Sequence, residues 1–335
     1  MAFVVFGIPY DAHIRRVSRE LQKRGVDVHI VSSILPVDHT ELTWTISSDG
    51  QQSKRLLRAN GDFARSTKCL DGAGTVAWLR NKAYVDHINT EVDQATVLCI
   101  QERSAWLKGW IRTTGARWIN PVAEALESEI KLTQLQTAAS LGMAVPRSII
   151  SNQKDHILDF MNEGGEYIIK PLATATIPSH NESLDYFAVM TNVLSQEEVR
   201  SSMKEEWSVA PVIVQEKIVK SHELRVIQVG EAAFSVRIQS DHTGQVDHRR
   251  TPYSNKYEFV ETPPALSQFG AQYLKRFGLD MGAFDYAVSP EGQHYFFECN
   301  PCGQWAWLEG VEENGNHEIS KFVAEQFHRI HASLD

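Results

Sequence analysis

The sequence is poor in the features that would assign it to a membrane, a nucleic acid or an oxidising compartment. No apolar run approaches the roughly 18 residues of a membrane span, and no signal-peptide core stands at the N-terminus, so a cytoplasmic protein is expected. Basic residues do not dominate. Lys and Arg number 33 against 42 Asp and Glu, a net charge of −9 with the signs interspersed, which argues against a phosphate backbone or an anionic bilayer as the main partner. Cysteine is scarce, with four in 335 residues. Cys69 and Cys99 stand alone. Cys299 and Cys302 form a single C-x-x-C with neither a second ligand pair nor a thioredoxin-like context, so they read as small residues packed beneath a turn. G-x-G-x-x-G is missing, as are internal repeats and low-complexity segments.

What is present is a globular pattern, 42% hydrophobic, long enough for two or three domains with sizeable cores. Ala2 to Phe6 reads as a buried strand. Asp11 to Arg24 has helical spacing at Ile14, Val17 and Leu21 and is stopped by Gly25, and Val26 to Val31 is a second strand. Without a dinucleotide fingerprint this β-α-β opening is a scaffold or substrate-side domain. Further strands are expected at 42–46, 75–79 and 96–100, and this domain should end near Ile119. Asn120-Pro121 reads as an N-cap and first helical residue, opening a helix that continues through Leu132, Leu135, Ala138 and Leu141 to Gly142, with Lys131 partway along it.

Beyond it, strands are expected at 148–151, 164–172, 211–219, 221–230 and 232–239, and helices at 155–161, 265–277 and 322–330. Lys170 ends a β-branched strand, as a residue delivering an ammonium to a phosphate would. Polar, weakly patterned Thr174 to Asp185 reads as a flap over a ligand, and Asp241 to Lys256 as a long loop. Glu223, Arg225 and Arg237 alternate with apolar residues, and inward arginines on a sheet are costly unless they meet anions.

The most informative stretch lies near the C-terminus. Two aromatic-rich runs, 282–288 and 293–300, flank Ser289-Pro-Glu-Gly292 and predict a β-hairpin. Pairing Val288 with Gln293 sets Asp285 opposite Phe296, on the face shared with Glu298 and Asn300. Two carboxylates and an amide oxygen on rigid strands suit Mg²⁺ that keeps waters and takes further ligands from phosphates.

Taken in order, Asn120-Pro, Glu129-Ile-Lys131, Tyr167-Ile-Ile-Lys170-Pro, Val214-Gln-Glu-Lys-Ile218, Glu223-Leu-Arg225-Val, Asp285 and Phe297-Glu298-Cys-Asn300-Pro resemble an ATP-grasp ligase. The tail Asn300-Pro-Cys-Gly-Gln-Trp305, with Val76-Ala-Trp-Leu-Arg80, is similar to segments of the microviridin-type (graspetide) maturases of ribosomal peptides. The resemblance implies an α/β ATP-grasp fold in three parts: an N-terminal α/β domain over 1–119, a central α+β subdomain over 120–210, and a C-terminal antiparallel-sheet subdomain over 211–335. ATP would lie between the last two.

It further implies that Lys131 and Lys170 bind the ATP phosphates. Gln215, Glu216, Lys217 and Ile218 would form the adenine hinge, and Glu223 would reach the ribose. Asp285, Glu298 and Asn300 would hold Mg²⁺, with Arg225 and Arg237 near the γ-phosphate and the substrate carboxylate. The implied reaction activates Asp or Glu side chains of a precursor peptide, which has a leader and an acidic core, as acyl phosphates and closes macrolactone or macrolactam links. A ligase joining free amino acids or extending a protein terminus is the alternative. A nucleotide-binding module without turnover is a third class, disfavoured by the complete Mg²⁺ triad. Related folds are often dimers, so a homodimer stays open.

Overall fold

The computed structural model describes residues 2–7, 10–31, 40–49, 52–58, 74–80, 94–161, 165–172, 176–178, 186–188, 191–240, 255–310 and 315–334. The chain divides into two compact units. One comprises Met1–Ala125, Phe277–Gly282 and Pro301–Asp335, the other Leu126–Arg276 and Ala283–Asn300. Residues 301–335 thus group with the N-terminal residues.

In the first unit the all-apolar strand Ala2–Phe6 pairs in parallel with Asp27–Val31 and Thr75–Leu79, and the latter with Arg117–Ile119. A parallel strand covered on both faces needs a continuous apolar run, and Ala2–Phe6 is buried throughout. Helix Ala12–Lys23 starts where Asp11 accepts from the His13 and Ile14 N–H groups, buries Ile14, Val17 and Leu21, and ends at Gly25, whose φ is 80°. Helix Glu318–Ala332 brings Phe327 against Phe3 and Trp78, at 5.9 and 5.2 Å between ring centres.

The strand expected at 96–100 is instead part of helix Gln94–Thr113. A short β-branched run does not separate strand from buried helix; the deciding signal lies beyond it, in Trp106 and Trp110 one turn apart with rings stacked at 6.5 Å. The strand expected at 42–46 is Thr40–Ile46, paired with Gln52–Arg58.

In the second unit the strands of one antiparallel sheet run Asn192–Leu194, Tyr167–Lys170, Val212–Glu216, Ser148–Ser151 among the described residues. Ile157, Met161, Tyr167, Leu194, Val199 and Val214 form its core. A second antiparallel sheet runs Lys256–Val260, Ala232–Gln239, His222–Val229, Met281–Val288, His294–Asn300. Helix Pro264–Phe277 covers one of its faces, with Phe269 and Tyr273 packed on Phe284, Tyr286 and Phe296.

The helix expected from Asn120 to Gly142 is two helices, Val122–Glu127 and Lys131–Ser140. Asn120 does not cap the first. Its amide donates to Met281 O and Pro301 O and accepts from the Asp280 and Met281 N–H groups, all at 2.7–2.9 Å. Lys131 is therefore the first residue of a helix.

Candidate active site

The hairpin Met281–Val288 to His294–Asn300 forms with a different register from the one read in the sequence. Val288 faces His294 and Tyr286 faces Phe296; the register then shifts, so that Asp285 faces Glu298 and Ala283 faces Asn300. The turn is one residue wider than expected, closed by Ser289 N–H to Gln293 O at 2.9 Å with Gly292 at φ 85°. Phe297 is then the extra residue of a bulge. Together these move the partner of Asp285 by two positions, an even displacement that keeps Glu298 and Asn300 on the face of Asp285, whereas Phe296 passes to the other face, opposite Tyr286. Asp285 and Glu298 become direct cross-strand neighbours. Asn300 shares their face and donates its amide to Glu298 Oε1 at 3.1 Å.

Burial acts to raise the Glu298 carboxyl pKa. The Asn300 amide and the charges of Lys170, Lys131 and Arg225 outweigh it and hold the group below its ordinary value. The charges of three cations from three separate elements therefore favour the ionised form of this carboxylate. Lys170 ends strand Tyr167–Lys170. Lys131 donates to Pro171 O at 3.0 Å, beside that strand end, while sitting at the positive end of its own helix dipole, where an anion and not an ammonium is favoured. Arg225, buried on His222–Val229, donates from Nη1 to Asp285 Oδ2 at 2.5 Å.

Arg237 does not join them. Arg225 is registered against Val236 and Arg237 against Leu224, so the two arginines occupy opposite faces of the sheet. Arg237 is instead partly exposed and paired with Glu258 across the edge strand at 3.0 Å. The expectation that both enter one cleft counted alternation within strands but not the register between them.

The hinge stretch is pinned from both sides. Gln215 is buried and donates to Ser148 Oγ at 2.7 Å, Glu216 N–H to Arg147 O at 3.0 Å, and Lys217 N–H to Glu166 O at 2.9 Å. Ile218 is half-buried. Glu223 is buried and ion-paired with Lys220, which the sequence reading did not single out. Lys220 also sits 5.8 Å from the centre of the Phe297 ring, the bulge residue. A second residue missed is Gln134, fully buried in the Lys131 helix; a polar residue at an inward helical position, three after a site lysine, was its signal.

Most of the flap expected at 174–185 and of the loop expected at 241–256 lies outside the described residues, as does Cys69, while Lys256 opens the strand Lys256–Val260. Strands Thr176–Pro178 and Tyr186–Ala188 pair antiparallel within or beside that flap. Cys299 is buried and Cys302 half-buried, and among the described residues neither forms a disulfide.

Among the described residues no three His, Cys, Asp or Glu side chains converge as a metal cluster. The candidate cation site is two carboxylates and an amide oxygen, an all-oxygen set that fits a hard ion retaining waters, and the field that keeps Glu298 ionised is consistent with it.

In the first unit, the two remaining motif segments meet. Trp305 is fully buried, donates its N–H to His13 Nε2 at 2.9 Å and its indole to Ser320 Oγ at 3.1 Å, and stacks 6.4 Å from Trp78. Arg80 donates to Cys302 O at 2.7 Å. These contacts hold the first unit together, whereas the candidate site residues lie in the second.

The chain is similar over nearly its whole length to solved ligases. A Chryseobacterium gregarium RiPP-associated ATP-grasp ligase, in complex with ADP and a leader and core peptide, aligns with a TM-score of 0.82 and 23% identity over 98% of this chain and 97% of that one. The macrocyclase MdnC of Microcystis aeruginosa, bound with its precursor peptide MdnA, aligns at 0.78 and 22% over 98% and 100%. D-cycloserine synthetase DcsG aligns at 0.57 and 12% over 100% of both. No protein-family model and no curated protein sequence matches. The fold is that of the ATP-grasp ligases.

Proposed function

We propose that this chain is an ATP-dependent, ADP-forming ligase that activates Asp or Glu side chains of a ribosomally made precursor peptide and links them to hydroxyl or amine side chains. The observation that carries the reading is the convergence on Glu298 of Lys131, Lys170 and Arg225, from three separate elements, within a fold shared with peptide ligases. Phosphoryl transfer asks a protein mainly for positioning and charge, and this cluster supplies both.

Lys131 and Lys170 take the phosphates, the hinge Gln215 to Ile218 takes the base, and Glu223 takes the ribose. Because Glu216 and Lys217 already donate their N–H groups within the unit, the hinge meets the base partly through carbonyls. Asp285, Glu298 and Asn300 would hold Mg²⁺, which when bound neutralises charge on the transferring phosphoryl group. A peptide carboxylate oxygen attacks the γ-phosphorus and ADP leaves; a hydroxyl or amine then attacks the acyl carbon, phosphate leaves, and the nucleophile's proton passes to solvent. Arg225 orients the carboxylate and favours an acidic core region. Arg237, on the other face, is left out of this step.

The likeness to D-cycloserine synthetase keeps a ligase acting on free small substrates as the second reading, at a weaker structural match. Incubation with the peptide encoded beside the gene, ATP and Mg²⁺ tests both: each link removes ~18 Da from the peptide if acyl phosphate chemistry runs to completion. Phosphate release with free amino acids, a linear dipeptide as product and an unchanged precursor mass would favour the second. No helix among the described residues is long and apolar enough to cross a membrane.

A further inference from the structure

The strand carrying Glu298 and Asn300 lies at the edge of its sheet, where outward N–H and C=O groups need partners. Phe296 N–H finds Ala144 O at 2.9 Å, in the chain just past helix Lys131–Ser140. At Cys299, between the two site residues, the partner is a side chain. Gln134 Nε2 donates to Cys299 O at 2.8 Å while its Oε1 accepts from Cys299 N–H at 3.0 Å, so one amide closes both groups as a neighbouring strand would. The same Nε2 donates to Ser128 O at 2.6 Å, at the break between the two helices. These partners fix the amide orientation, because a flipped amide would set its NH₂ against an N–H and its oxygen against two carbonyls.

Gln134 is one helical turn from Lys131, and the charge of Lys131 acts on Glu298. We propose that Gln134 is a positioning residue: it locks the helix that presents Lys131 to the strand that presents Glu298 and Asn300, so that the phosphate-binding and metal-binding groups keep one spacing. This rests on the nucleotide and Mg²⁺ reading above, and concerns how the site is held rather than which peptide it acts on. Groups that orient ligands from behind typically change metal affinity ~10–100-fold when removed. A side chain that only filled the core would change stability and leave ligand affinity alone.

The test uses the full chain with Gln134→Met, which keeps the volume and loses all three hydrogen bonds, and Gln134→Glu, which keeps the shape and an acceptor. Ala138→Gly, in the same helix, serves as a control for loss of stability alone. Mn²⁺ affinity in the presence of a non-hydrolysable ATP analogue is read by electron paramagnetic resonance, and analogue affinity by calorimetry, at a temperature where circular dichroism shows each variant folded. The expected result is a ~10-fold or greater loss of Mn²⁺ affinity in Gln134→Met, a smaller loss in Gln134→Glu, and wild-type affinity in Ala138→Gly despite its lower melting temperature. Should Gln134→Met not fold, Gln134→Glu against the control decides. Wild-type Mn²⁺ affinity in a folded Gln134 variant, or an equal loss in Ala138→Gly, would overturn the proposal. Absence of Mn²⁺ and analogue binding in the wild type would instead overturn the nucleotide reading, and this inference with it.

Discussion

Arg225 donates to Asp285 across neighbouring strands at 2.5 Å, so a candidate metal ligand is already engaged by a cation of the protein itself. Both side chains are largely buried, at 9% and 16% exposure, which strengthens the pair relative to a surface ion pair. A metal arriving at Asp285 competes with this guanidinium. We predict that Arg225→Gln raises Mn²⁺ affinity in the absence of nucleotide by on the order of tenfold, the value of a charge-assisted hydrogen bond, while turnover is lost. Weaker Mn²⁺ binding would mean instead that Arg225 holds Asp285 in place for the ion.

Asp285→Ala and Glu298→Ala should each abolish product formation while the protein stays folded, because each removes an oxygen from the cation site and not an apolar group from the core. Circular dichroism and turnover are measured on the same preparation. Wild-type-like turnover in either variant would sink the Mg²⁺ assignment.

Lys131→Met and Lys170→Met keep much of the stem and lose the charge. Each should weaken binding of a non-hydrolysable ATP analogue by about tenfold or more, read by calorimetry. Unchanged affinity in both would return them to ordinary solvated lysines.

His13 gives a pH dependence whose sign follows from its partners. Burial lowers its pKa below 6.5, against the pull of Asp11, and its Nε2 accepts from both Trp305 and Ala306 N–H groups, which only the neutral ring can do. The unfolded chain therefore binds the proton more readily. The contribution to stability is complete above pH 6.5 and is lost as pH falls through the lower folded value. Melting temperature against pH, compared between wild type and His13→Gln, should show a steeper acid-side fall in the wild type. Parallel curves would contradict this.

Trp305→Ala removes a fully buried indole that packs on His13 and Trp78, and should destabilise the protein by about 3–5 kcal/mol, measured by denaturant unfolding. A loss well under 1 kcal/mol would place the residue outside the core.

Much of this was legible in the sequence where the signal is local. The β-α-β opening, strand 232–239 and helix 265–277 follow from apolar period and stop residues. The hairpin partner of Asp285 was not, because neither a wider turn nor a bulge changes the composition of the strands; the convergence of the three oxygen residues survived because the two errors summed to an even shift. The broken helix was hidden for a different reason. Asn120 looks like a cap from its neighbours, yet its amide is taken by Met281 and Pro301. Arg237 was misplaced because which face a strand residue occupies relative to the next strand is a matter of register, which a single strand does not carry.

The charges around Glu298 also bear on the order in which ligands arrive. Among the described residues, Lys131, Lys170 and Arg225 outnumber the two candidate metal carboxylates Asp285 and Glu298 by three to two, so the charges acting on Glu298 are mainly positive. A lone divalent cation enters against that excess, whereas a polyphosphate is drawn to it and reverses its sign. We predict that nucleotide binds ahead of the metal, so that the chain melts appreciably higher with the ATP analogue alone than with Mg²⁺ alone.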